Sequence, residues 1–216
     1  PSISQSQVNA EIKYTFSVGL RSIVRQDPDI IMVGEIRDLE SADLGIHAAL
    51  TGHIVLSTLH TNDAAGASPR LIDMGIEPFL ITSSVNAIIG QRLARRICEN
   101  CKQPFDVGAD QTQLVKAELD HLQPALREKL KLDHLAFYRG KGCSQCHESG
   151  YKGRIGLFEL LLVTEPIKQL VVQRVSVSKI KEQAQKEGMV TLMQDGLIKA
   201  IRGLTTLEEV WRATKE

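Results

Sequence analysis

Short β-branched runs alternate with stretches of helical periodicity over the first part of the chain. Ile30-Ile31-Met32-Val33 is such a run, bounded by Pro28 and Gly34, and it reads as a strand buried on both faces of a parallel sheet. Before it, Phe16, Leu20, Ile23 and Val24 recur at helical spacing, and Pro28 is expected to end that helix. After it, Asp38 reads as an N-cap. Leu39, Ala42, Ile46, Ala49 and Leu50 then share one apolar face, and Gly52 is the stop. Ile54 to Thr58 reads as a second buried strand. Strand, helix and strand in that order predict a right-handed βαβ crossover.

The pattern then changes. A helix is expected from about Ala64 to Met74, with Pro69 either kinking it or moving its start, since proline is tolerated in a first turn. Pro78 is expected to open a longer apolar helix through Leu93, with the arginines between Arg92 and Arg96 at its solvated end. Asp110 to Leu135 predicts one or two charged surface helices, and Gly150 to Leu162 a glycine-punctuated strand. Beyond Thr164 small helices are expected, with Pro166 in a first turn, Ser178 as a cap, Gly188 as a stop and a capping box from Thr206 and Glu209. There is no internal repeat, low-complexity tract or heptad pattern. The division expected is an α/β core over 1–96, a cysteine-bearing module over 97–149 and a mainly helical subdomain over 150–216.

Composition narrows the function classes. The 216 residues carry 26 basic and 26 acidic side chains, so no global field draws the chain to nucleic acid or a membrane surface. No apolar run is long enough to span a bilayer. The first residue is Pro1, so the true N-terminus is expected to lie elsewhere, and the lack of a signal peptide carries no information. The four cysteines form two Cys-x-x-Cys pairs, Cys98/Cys101 and Cys143/Cys146, which suggests metal in a reducing compartment more than disulfides.

That spacing lets both sulfurs of a pair turn toward one ion, and four thiolates leave no open position for water. A structural Zn²⁺ is therefore expected, with the helical segment between the pairs folding back to close the site. Two disulfides and metal-free thiols remain as alternatives. His121, His134 and His147 lie near in sequence, and His147 is the competing ligand.

The other candidate chemistry lies where the first strand ends. Ligands of open α/β sheets bind beyond the carboxyl ends of the strands. Glu35 follows the first strand directly, placed to hold Mg²⁺ through water or to orient an attacking water on a nucleotide phosphate. The polar turn Leu59-His60-Thr61-Asn62-Asp63 would lie at the same edge. Arg21, Arg25, Glu35, Arg37, His60 and Asn62 are the candidates, because arginines stabilise phosphoryl charge and a neutral histidine or amide can sense a γ-phosphate. Each also has a structural reading: His60 as partner of a backbone carbonyl, Arg37 with Asp38 as a surface pair. The chain contains no Gly-x-x-x-x-Gly-Lys-Ser/Thr phosphate loop.

A family resemblance runs through nearly the whole chain. It is carried by Gln7-Val8-Asn9, Thr15-Phe16, Gly19-Leu20-Arg21-Ser22-Ile23 and Arg25-Gln26 leading into DPDIIMVGEIRD. It continues in TGHIVLSTLHTNDA over 51–64, Arg70-Leu71, Asp73-Met74-Gly75, Glu77-Pro78-Phe79, Gln91-Arg92-Leu93, the cysteine pairs, Gly150-Tyr151, Gly153-Arg154 and the stretch 205–210. These segments resemble the motor ATPases of type II secretion and type IV pilus assembly, the general secretion E and pilus B subgroup. The resemblance implies a RecA-like core acting as a homo-hexamer in the cytoplasm at the inner membrane, against secretion or pilus platform proteins, with ATP and Mg²⁺ as cofactors.

By matching motif, Glu35 takes the Walker B glutamate role, and His53 and His60 the histidine-box roles. Arg21, Arg25 and Arg37 carry over as arginines facing phosphate or a neighbouring subunit. In that family the phosphate loop precedes the Gln-Val-Asn segment. The chain is therefore expected to be the C-terminal portion of a longer protein and inactive alone. Pro69 departs from the family pattern. Two rival readings stand beside this one: a zinc-dependent interaction module that binds no nucleotide, and a pilus retraction motor, against which the cysteine pairs argue.

Overall fold

The first helix begins where Thr15, in extended backbone, accepts the Val18 N–H on its hydroxyl. The computed structural model describes residues 3–130 and 135–215; His134 falls outside them. In chain order the elements are α1 (Phe16–Val24), β1 (Ile30–Ile36), α2 (Leu39–Leu50), β2 (Ile54–Leu59), α3 (Ala67–Asp73) and α4 (Pro78–Ser84). There follow β3 (Ala87–Ile97), β4 (Lys102–Pro104), α5 (Ala109–Asp120), α6 (Pro124–Leu130), β5 (Tyr138–Gly140) and β6 (Tyr151–Leu162). The last four are α7 (Glu165–Val172), α8 (Val177–Lys186), α9 (Leu192–Ile201) and α10 (Leu207–Thr214). Together they make an α/β chain.

By packing, these elements form two compact units. One comprises Pro1–Thr61, Ala65–Asn86 and Val163–Ile180; the other Asn62–Ala64, Ala87–Leu162 and Lys181–Glu216.

In the first unit β1 and β2 pair in parallel, from Ile30 opposite Ile54 to Ile36 opposite Leu59, with α2 between them in sequence. Asp38 caps α2 as expected: its carboxylate accepts the Ser41 N–H at 2.8 Å, and the Ser41 hydroxyl oxygen accepts the Asp38 N–H. Ile31 and Val33 pack with Leu20 of α1 and Ala48 of α2 in one small core. The expectation of strands buried on both faces is corrected here. Ile30 and Met32 are 59% and 75% exposed, and Ile54 and Leu56 of β2 are also open. Helices cover one face of this two-stranded sheet, and among the described residues nothing covers the other. In α3 the proline question resolves as a moved start, because Pro69 sits in the first turn, where its missing N–H has no partner to lose.

The helix expected from Pro78 through Leu93 is also corrected. It stops at Ser84, and Ala87–Ile97 is a strand. The local apolar spacing suits either state. The long antiparallel ladder with β6, Ala87 opposite Leu162 through Ile97 opposite Tyr151, decides it. The three arginines are thus strand residues. Arg95 reaches Glu209 of α10, and Arg96 pairs with the exposed Glu99.

The remainder of the second unit is built on this ladder. Val115, Leu119 and Leu122 of the α5 region join Leu197 and Ile198 of α9 and Val210 of α10 in one core. The antiparallel pair β4–β5, Lys102 opposite Gly140, brings the two cysteine segments together. Gly140 and Gly150 lie so close that a Cβ on either would collide with the other's backbone. At α10 half of the expected capping box forms. Thr206 accepts the Glu209 N–H, but the Glu209 side chain is taken by Arg95 and Arg212.

Candidate functional site

Glu35 sits on an irregularity in β1. The ladder pairs Val33 with Ser57 and resumes at Ile36 with Leu59, so Gly34 and Glu35 together face the single residue Thr58. Such a bulge re-aims the side chain it carries. Here the Glu35 carboxylate, about one-third exposed, forms an ion pair with the Arg37 guanidinium, and His60 Nε2 lies 3.3 Å from its other oxygen. Both strands run in parallel, so Glu35 and His60 stand at the carboxyl edge of the sheet, where open α/β folds take ligands.

The Arg37 hydrogen bond holds the Glu35 carboxyl below the usual carboxylate range against the opposing effect of burial, with the Arg37 charge and His60 adding in the same direction. Glu35 is therefore an anion at neutral pH. A depressed carboxylate is a poor proton acceptor but a good orienting acceptor for a water molecule or a water-shelled cation. Arg37 is held from two sides, since its own backbone N–H donates to the Ser41 hydroxyl at 3.3 Å. Its side chain stays largely exposed while its guanidinium pairs with Glu35.

The other expected residues are distributed differently. Arg21 on α1 and Arg25 just after it are exposed, and neither is among the partners of Glu35. His53 precedes β2, at the opposite end of the strand from His60. Its Nδ1 lies 3.0 Å from the Ala48 carbonyl oxygen and 3.1 Å from the Thr51 hydroxyl, so it fastens the turn after α2. Asn62 belongs to the second compact unit, where its carbonyl accepts a hydrogen bond from Arg92 at 2.8 Å.

The four cysteines do converge. Their sulfurs all lie within 4.8 Å of one another. Cys98–Cys143, Cys101–Cys146 and Cys143–Cys146 are separated by 3.9, 3.8 and 3.7 Å. A tetrahedron of thiolates at a Zn–S length of about 2.3 Å has edges of about 3.8 Å, so the set fits zinc. The cysteines are free, which sets aside the two-disulfide alternative. His147, the competing ligand, is exposed and outside the cluster.

The backbone supports thiolate character at one corner. Burial pushes the Cys146 thiol up, but the Cys143 and Gly150 N–H groups, donating to its sulfur at 3.2 and 3.3 Å, help bring it down to about 7. Burial dominates at Cys101, which is pushed up to about 12. A dication among these sulfurs would favour the deprotonated form of all four.

Sequence reasoning missed Thr58, whose hydroxyl donates to the Gly34 carbonyl at 2.8 Å beside Glu35. Nothing in a strand-forming threonine announces such a contact. It also missed Glu159, buried in β6 and accepting the N–H groups of Ala64 and Leu192. A lone glutamate within an apolar strand was the available signal.

The family described as Type II/IV secretion system protein matches residues 1–212. The type IV pilus assembly ATPase PilB of Thermus thermophilus is 47% identical over the whole of this chain and 23% of its own length. The type II secretion system ATPase E of Vibrio cholerae is 46% identical over 99% of this chain and 40% of its own. The chain thus spans less than half the length of these relatives. Among solved structures, the pilus retraction motor PilT with bound ADP superposes with a TM-score of 0.61 over 94% of this chain and 44% of its own, at 24% identity, a likeness of fold. The chain belongs to the type II/IV secretion system protein family.

Proposed function

We propose that this chain carries the water-orienting edge and a zinc-stabilised module of an ATPase that powers type II secretion or type IV pilus assembly. The observation that carries the reading is Glu35 at the carboxyl end of β1 with His60 beside it from β2. In the full-length protein, Glu35 orients the water that attacks the terminal phosphate, and His60 donates to or releases that carboxylate as the phosphate state changes. Bound Mg²⁺ would neutralise phosphate charge, with Glu35 as a water-mediated contact. Arg37 is a gate on Glu35: the ion pair opens before the carboxylate is free to act. Arg21, Arg25 and Asn62 remain candidates for phosphate or subunit contacts.

Cys98, Cys101, Cys143 and Cys146 hold a structural Zn²⁺, and the core to which Glu35 belongs is of the RecA type. The working form is a cytoplasmic homo-hexamer docked on inner-membrane platform proteins, with no nucleic-acid partner. In functional terms the nucleotide portion is 1–96, the metal module 97–149 and the mainly helical portion 150–216. The 216 residues alone, with no phosphate loop, turn over no ATP. Relatives named for assembly and secretion at 46–47% identity favour this over the retraction reading, whose likeness is one of fold at 24%.

A strain lacking the gene, complemented with the full-length protein, tests the role. Glu35→Gln should abolish protein export or surface piliation at unchanged protein level. Normal export and piliation would contradict the reading and favour an interaction module.

A further inference from the structure

The bulge that aims Glu35 interrupts the β1–β2 ladder at the point where the two strand ends must hold a fixed separation. Between the paired positions Val33–Ser57 and Ile36–Leu59, β1 supplies two residues and β2 one. At such a bulge the backbone ladder is locally disrupted and the extra residue is left unpaired. The Thr58 hydroxyl donates to the Gly34 carbonyl at 2.8 Å across this gap, joining residues 24 positions apart in the chain. Gly34 precedes Glu35 by one residue, and Thr58 precedes His60 by two. This bond therefore joins the two segments from which the carboxylate and the imidazole project, beside the contact between those two groups themselves. An ideal Cβ on Gly34 would meet nothing within 4 Å, so side-chain packing does not fix that stretch of backbone. Thr58 itself is exposed, so its contribution is the hydroxyl and not burial. A valine there would have the same shape and equal preference for a strand, but could not donate.

We propose that the Thr58 hydroxyl is a positioning group that holds the bulge of β1 and so sets the spacing between Glu35 and His60. This rests on the reading of Glu35 and His60 as the water-orienting pair. A displaced Glu35 still leaves the nucleotide bound, because Thr58 is separated from Glu35 by a backbone tie and touches no expected phosphate ligand. The loss belongs to the chemical step, where a misplacement of about 1 Å can lower a rate by about a hundredfold.

The test uses two pairs of side chains that differ only in the hydroxyl. ATP turnover and thermal midpoint are measured on the full-length protein with Thr58, Thr58→Val, Thr58→Ser and Thr58→Ala, beside Glu35→Gln. Thr58→Val and Thr58→Ala should lower kcat about tenfold or more, with KM for ATP within about twofold and the thermal midpoint close to that of the parent. Thr58→Ser should keep most of the activity. Equal kcat within each pair, with Glu35→Gln inactive, would overturn the positioning role and leave the hydrolytic reading intact. So would a loss that merely tracks the amount of folded protein. Near-normal turnover in Glu35→Gln would overturn the hydrolytic reading itself.

Discussion

Glu209 accepts hydrogen bonds from Arg95 twice, once from its backbone N–H at 2.8 Å and once from its guanidinium at 2.7 Å, across 114 residues of chain. The carboxylate is buried, while the two arginines that meet it, Arg95 and Arg212, are half exposed. Arg95 also stacks over the Tyr151 ring at 4.1 Å, and the Tyr151 hydroxyl lies 3.0 Å from that of Thr206, the cap of α10. This network ties α10 to β3 and β6.

It makes part of the acid stability depend on Glu209. Burial alone would raise the Glu209 pKa, but the arginine hydrogen bonds lower it from 4.5 to about 2. A depressed folded pKa contributes stability that is complete above about 4.5 and is lost as pH falls from there toward 2. The loss is on the order of 3–4 kcal/mol at about 1.4 kcal/mol per pKa unit. Glu209→Gln should be less stable than the parent at neutral pH by a similar amount, and the two curves should converge in acid. Denaturant melts of both proteins at a series of pH values measure this. Parallel curves would show that the arginines do not set the carboxyl's titration.

Zinc content is the second expectation. Purified protein should hold one zinc per chain by elemental analysis, and Cys101→Ser or Cys143→Ser should lose it. Structural zinc contributes folding free energy, so chelation should raise hydrogen exchange across β4, β5 and the Gly150 segment. Protection in β1 and β2 should stay unchanged, since they belong to the other compact unit. Metal-free protein with unaltered exchange between Cys98 and Gly150 would contradict the assignment.

A third expectation concerns the open sheet. β2 pairs only with β1 among the described residues, and Ile30, Met32, Ile54 and Leu56 leave an apolar face uncovered. An exposed apolar edge is a template for pairing with another chain. The 216-residue chain should self-associate, and Leu56→Lys should shift it toward monomer in light scattering. A monodisperse monomer before the substitution would contradict this.

What was legible in the sequence divides by range. The strand at Ile30, the capped helix after Asp38 and the strand at Ile54 follow from local signals that agree with their environment. The convergence of Cys98, Cys101, Cys143 and Cys146 was legible because a spacing of two residues has few other uses. The strand over Ala87–Ile97 was not, because Ile88, Ile89 and Leu93 fit a helical stripe as well as a ladder, and β6, which decides, begins more than 50 residues later. Nor was the exposure of Met32 legible, since an apolar run gives hydrophobicity but not which layers cover it. His53 and His60 read alike in sequence; only the direction of β2 puts one at the carboxyl edge beside Glu35 and the other at the far end.

The proposed role of Glu35 is in hydrolysis and not in nucleotide binding. The direct measurement compares ATP affinity and phosphate release for the full-length protein and its Glu35→Gln variant. The carboxamide keeps the shape but lacks the negative charge that orients water. With that role, the variant's ATP dissociation constant should lie within about threefold of the parent's and its phosphate release should fall by at least about a hundredfold. Release at near the parent's rate, or loss of ATP binding together with turnover, would contradict it.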